Sequence, residues 1–307
     1  TSGSCDRRAG VRAAQGRIEA DALGAPAPFV TVAGPALCPA QTLTDAPAPF
    51  SPATRRAVVG LGITQILAWG SVYYVIGVIG PTLSAGLGVS STLIYGGFSL
   101  SLIVGAVLAP AVGRAIDRIG GRRVMSAGSL IAALGLAIAA SAQGPIGYLS
   151  SCVVLGVAIS TTLYDAAFAS ITQIAGRRAR RAITLLTLFG GFASTVAWPL
   201  TTWLASVWGW RETYWFYAAA HVLICLPVHW FWLADGPDQA AFAAPAETAA
   251  AEREGVMQGP GRRVAFWLFA LALTANSFVF SGLSAHFISM LGGLGLTASM
   301  AVLVGMA

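Results

Sequence analysis

Asp165 is the only acid inside the apolar runs that dominate this chain. A carboxylate in hydrocarbon is costly and is by default a functional candidate. It could take up and release a proton, or act as counter-charge to a cationic solute or to an arginine elsewhere. The structural alternative is a side chain that is protonated, or hydrogen-bonded to Thr161 one turn away or to the Tyr164 hydroxyl. A second group is Gln65, Trp69 and Tyr73, spaced i, i+4 and i+8 and so on one helical face, with Tyr74 beside it. Such a stripe either packs or lines a cavity, and an amide in mid-span needs a partner. Asn276 lies near the middle of a later run. His286 lies toward the end of that run, where a lone histidine is usually interfacial.

A different chemistry is concentrated in Gly113-Arg114-Ala115-Ile116-Asp117-Arg118-Ile119-Gly120-Gly121-Arg122-Arg123. Four arginines and an aspartate cannot lie in hydrocarbon, so the segment is expected to be a charged loop at a membrane face. Its arginine excess assigns that face to the cytoplasm. Gly113 is expected to let two helices approach, and Gly120-Gly121 to supply the positive φ of a tight reversal.

That spacing, with Gly113, Asp117, Arg118, Gly120, Arg122 and Arg123 in place, resembles the signature between helices two and three of the major facilitator superfamily of secondary transporters. The resemblance implies an all-α membrane bundle of about twelve spans in which these residues govern conformational switching. Helices one, four, seven and ten of that fold line a central cavity. It would therefore place the Gln65-Trp69-Tyr73 stripe opposite Asp165, add Asn276 on span seven as a candidate, and leave His221 and His229 on a peripheral helix.

Ala68-Trp69-Gly70 is similar to the Trp-Gly pair near helix one of monocarboxylate and oxalate-formate carriers, though it covers no anion-binding arginine. Cys152-x-x-x-Gly156 stands where proton-coupled drug and sugar carriers have Arg-x-x-x-Gly. Trp198-Pro199-Leu200 does not supply the Gly-Pro motif of drug antiporters. A proton-coupled, monocarboxylate-like carrier is thus the first reading, and a drug or sugar efflux permease the second.

What must position these residues is a series of apolar runs, each near the roughly 20 residues that cross about 30 Å of hydrocarbon. They fall at about 57–80, 92–112, 124–143, 147–172, 183–206, 213–233 and 264–288, with an eighth beginning near Ala298. If Arg55 and Arg56 are cytoplasmic, thirteen arginines fall on that side and only Arg211 on the other. This bias places the amino terminus in the cytoplasm and the spans in the inner (plasma) membrane.

Residues 1–54 hold seven of the fifteen prolines and no long apolar run, and read as a disordered leader. Residues 55–233 form a six-span half, 234–263 a cytoplasmic linker, and 264–307 an incomplete second half. The sequence therefore reads as a fragment, with about eight spans of an expected twelve. Pro199 is expected to kink span five, and Trp208, Trp210, Trp215 and Tyr217 to form an interfacial belt.

With 56% hydrophobic and 10% charged residues, against about 25% charged in soluble domains, the chain is a membrane protein. Its net charge of +6 follows from insertion orientation, so no nucleic-acid partner is expected. The partners are the lipid bilayer and a small organic solute, with protons as the candidate coupling ion. No Ser-His-Asp set, zinc-ligand spacing or phosphate loop is present in a fitting context. Neither catalysis, metal nor cofactor is expected, and Cys152 and Cys225 read as small core residues. A membrane sensor would carry a soluble output domain, and a membrane enzyme clustered His, Asp or Glu at one face; neither is visible.

Overall fold

A computed structural model describes residues 50–234, 261–295, 300 and 304. The leader through residue 49, nearly all of the linker and most of the eighth run lie outside the described residues. The described elements are all helical. Helix α1 spans Pro52–Leu87. Ser51 starts it by accepting from the Thr54 amide at 3.1 Å, and Pro52 occupies a first-turn position where no N–H is needed. The helix thus opens inside the stretch assigned to the leader. It ends at Gly88, in the left-handed region at φ 64°.

Helix α2 spans Ser91–Ile119 and α3 Gly121–Ser141. Then follow α4 (Pro145–Thr162), α5 (Tyr164–Ala175), α6 (Ala179–Gly191), α7 (Ala193–Val207), α8 (Trp210–Trp232) and α9 (Gly261–Gly293).

Among the described residues six helices are long and apolar enough to cross a membrane, and one of them runs 63 residues from Pro145 to Val207. At 1.5 Å per residue that is about three times the hydrocarbon thickness. The run is folded back on itself: the Tyr164 hydroxyl donates to the Thr187 carbonyl at 3.3 Å. The short turn Gly176–Arg178 therefore separates two spans, α4–α5 and α6–α7, and the described helices cross seven times. Span five is interrupted at Phe192, between α6 and α7, while α7 continues through Pro199. Pro199 thus sits within an unbroken α-helical stretch, seven residues beyond that interruption.

The arginines gather at one end of the bundle. There the Gln173 amide donates to the Ile116 carbonyl at 3.0 Å, Arg181 lies 5.0 Å over the Phe50 ring, and Arg122 lies 4.6 Å over Trp230. At the opposite end Arg211 donates to the Ala140 and Ala142 carbonyls, both at 2.7 Å, and so caps the end of α3. An apolar cluster around Leu61, Ile116, Met125, Ile171 and Leu186 fills the arginine-rich end. A larger one around Val72, Ile79, Leu83, Leu136 and Tyr217 fills the rest. Two helices carry π-helical segments, Trp69–Tyr74 in α1 and His221–Cys225 in α8.

Candidate functional site

Span four breaks at Leu163, whose φ of −83° and ψ of −165° are extended rather than helical. The break exposes the last carbonyls of α4 and the first amides of α5, and Leu163 supplies no side-chain cap. Gln65 answers one of these demands. Its side chain is fully buried and its Nε2 donates to the Thr162 carbonyl at 2.7 Å. One turn along α1, the Trp69 ring lies 5.1 Å from that of Tyr164, the first residue of α5. Tyr73 meets Trp69 edge-on at 4.9 Å. The stripe therefore faces the break in span four. Two of its polar atoms, Gln65 Oε1 and Trp69 Nε1, are buried with no hydrogen-bond partner among the described residues.

Asp165 lies in the first turn of α5, where the positive end of the helix dipole favours a negative charge. It is exposed. Helix α5 packs against α1, α2, α3 and α6 and leaves Asp165, Phe168, Ala169 and Thr172 along its uncovered side. The two hydroxyls named as its structural partners are engaged elsewhere: Thr161 donates to the Val157 carbonyl at 2.8 Å, and Tyr164 to Thr187. It is Tyr164, not Asp165, whose side chain meets the stripe.

Helix α9 docks on α1 through its second half. The Tyr73 hydroxyl and Ser281 Oγ are 2.6 Å apart, Phe280 stacks 6.1 Å from Tyr73, and Phe287 stacks 5.4 Å from Trp198. The Ser284 and Ala285 carbonyls press on Gly77, so the two helices run parallel. Asn276, about one turn before Phe280, is exposed and bonds none of the stripe residues. His286 lies against Tyr95, ring centroids 4.3 Å apart.

The arginine motif is not a loop. Gly113 to Ile119 are the last turns of α2, Gly121 to Arg123 the first turn of α3, and Gly120 alone joins them at φ 86° and ψ 151°. Gly121 does not share that positive φ. It is required because a Cβ there would collide with Ser170 on α5. Gly113 meets no described atom within 4 Å of where its Cβ would stand, so the expected close approach is not made by any of the described helices. Asp117 and Arg118 are exposed, as is Arg123. Gln173 Nε2 stands 3.5 Å from Asp117 Oδ1, the edge of hydrogen-bonding range.

The two histidines of α8, expected only to lie on a peripheral helix, have buried polar partners. Both are fully buried. His229 Nδ1 lies 3.1 Å from the Met125 carbonyl, which can only accept, so that nitrogen carries the proton. Its Nε2 lies 3.0 Å from Thr64 Oγ1, whose proton the Leu61 carbonyl also draws at 3.1 Å, and Ser129 lies 2.8 Å from Nδ1. His221 Nε2 bonds Ser71 Oγ at 2.8 Å, linking the two π-helical segments. The available signal was that an imidazole inside an apolar run needs partners.

A cavity of about 710 Å³ opens among Ala137, Ala142, Ile146 and Trp215, far from these polar groups. Polar geometry, not volume, marks the candidate site. A family model described as Major Facilitator Superfamily matches residues 61–307. No curated protein matches the chain.

Proposed function

The chain belongs to the major facilitator superfamily, a family of secondary transporters, and we propose that it moves a small organic solute by alternating access, with the break in span four as the centre of its solute site. The observation that carries this reading is the Gln65 amide held on the Thr162 carbonyl at 2.7 Å. Mid-membrane sites in transporters are commonly built where a helix is discontinuous, because the freed backbone groups can then face a ligand. Gln65, Trp69, Tyr73 and Asp165 are the proposed solute or proton site. Asn276, about level with Trp69 on α9, joins them when α9 closes.

Alternating access is supported by how α9 sits. Its second half is seated on α1, while nearly all residues from Val264 to Val279 are exposed among the described residues, Phe266 at 64% and Phe278 at 81%. On this reading the first half of α9 parts from α1 toward the arginine-rich end. The arginine bias makes that end the cytoplasmic one, in the inner or plasma membrane, with the amino terminus and the 234–263 linker on the same side. On this reading residues 55–233 form one half of the transporter and 264–307 open the second. Gly113, Asp117, Arg118, Gly120, Arg122 and Arg123 then sit where the halves part and act on switching rather than on solute affinity.

The finer reading, a proton-coupled monocarboxylate carrier, is supported by Ala68-Trp69-Gly70, and a drug or sugar permease is its alternative. The test is uptake into proteoliposomes by the full-length protein. Saturable, gradient-driven accumulation of a small solute, lost in Trp69→Ala, is the expected result. An absence of flux for every small solute tried would overturn the reading.

A further inference from the structure

The chemistry around the break in span four says more about the solute, if the transport reading above holds. Between the arginine-rich end and the Arg211 end, Asp165 is the only Asp, Glu, Lys or Arg among the described residues. It is exposed on the uncovered side of α5 beside Phe168 and Thr172. A carboxylate and a threonine do not belong against lipid tails, so this side lines a solvated path. Tyr164 and Phe168 stack at 4.8 Å with their planes 13° apart, and Trp69 closes on Tyr164 at 5.1 Å. An acid next to aromatic faces suits an ammonium group, which gains from both.

The carboxylate solute of the finer reading above fares badly in the same place, so the two assignments of the solute compete. It would meet the charge of Asp165, and no Lys or Arg stands among the described residues of the spans to receive it. The positive end of α5 would favour an anion, but Asp165 already occupies its first turn. The unpartnered atoms add a second requirement. Gln65 Oε1 can only accept, so it calls for a hydrogen donor. Trp69 Nε1 can only donate, so it calls for an acceptor oxygen. Both are closed off in this structure, but the Trp69 ring is only half-buried, so a turn of that ring brings Nε1 to a solute at the break while Gln65 stays on Thr162.

We propose that the break in span four reads a small amine that also carries an oxygen acceptor, such as an amino alcohol, with its ammonium group at Asp165 and its polar oxygen at Trp69. The experiment loads proteoliposomes of the full-length protein from an equimolar mixture of small amino alcohols, alcohols and carboxylates of matched carbon skeleton. The lumen is then analysed by mass spectrometry. Amino alcohols should accumulate over both other classes. Asp165→Asn should lower their uptake about tenfold, the loss of one charge-assisted contact, with Asp165→Glu retaining part of it. Circular dichroism and thermal melting of the variants establish that they are folded. Accumulation of carboxylates instead, or amino alcohol uptake unchanged in folded Asp165→Asn, overturns the proposal and leaves the transport reading standing. A lumen in which no class rises overturns both.

Discussion

At the scale of single residues, Gln65 shows how one amide can serve two helices. A buried carbonyl left without a donor costs about 1–3 kcal/mol, and Thr162 would be left so by Gln65→Leu. That variant should melt several degrees lower in detergent, and Gln65→Asn, too short by one methylene, should not recover it. An unchanged melting temperature would mean that water takes over the bond at no cost. Gly120 poses a backbone question instead. Its φ of 86° with ψ of 151° belongs to a region that side chains scarcely enter. Gly120→Ala should therefore destabilise the α2–α3 junction by about 1–3 kcal/mol, measured by thermal or urea unfolding. Gly113→Ala should have little effect on the described helices, since open space surrounds that position. Equal losses at the two glycines would contradict the geometry.

At the scale of elements, the spans were legible because hydrocarbon imposes length and polarity on every crossing. The arginine asymmetry survived for the same reason, with Arg122 and Arg181 at one end and Arg211 at the other. What the sequence hid was local. Phe192 follows Gly190-Gly191 directly and Pro199 sits inside a continuous helix, whereas Leu163 interrupts span four without any Pro or Gly beside it. Breaks of this kind are set by tertiary partners such as Gln65, which composition does not reveal. The stripe of Gln65, Trp69 and Tyr73 was readable from spacing, but its true counterpart, Tyr164, and the exposure of Asp165 needed three dimensions. The motif at Gly113–Arg123 was recognised while its form was not, because charge excludes it from hydrocarbon without saying whether it is loop or helix end. The histidines of α8 give a test at this scale. His229→Leu would remove the imidazole from a buried polar layer joining α1, α3 and α8, leaving Thr64 only its bond to the Leu61 carbonyl and Ser129 only its bond to the Met125 carbonyl. It should cost about 2–4 kcal/mol in unfolding free energy, while His286→Leu, at an exposed position, should cost far less. Comparable losses would make the buried network energetically idle.

For the whole molecule, the question is whether α1 and α9 form a contact that opens and closes. Asp117 and Arg118 lie exposed at the arginine-rich end, away from the break in span four. Asp117→Asn should slow transport while leaving equilibrium solute binding nearly intact; a large loss of binding at an unchanged rate would count against a switching role. The opposite end offers a sharper test, because there the contact is backbone against backbone. A Cβ on Gly77 would stand 2.8 Å from the Ser284 carbonyl oxygen and 3.4 Å from that of Ala285. Neither atom is the tip of a flexible side chain, so the helices themselves must separate. Overpacking of this kind typically costs about 1–3 kcal/mol, enough to shift a two-state equilibrium about tenfold. Gly77→Val should therefore drive the second half of α9 off α1 and disfavour the arrangement seen here, in which that end is shut. Two readouts follow: slower turnover in proteoliposomes, and faster labelling of a Ser281→Cys reporter by an impermeant thiol reagent added from the side opposite the arginines. Gly77→Ala, which adds a single methyl, should show the same changes more weakly. If Gly77→Val folds, labels at the unmodified rate and transports normally, the contact between α1 and α9 is a static seam, and the opening and closing of the site must be sought elsewhere in the bundle.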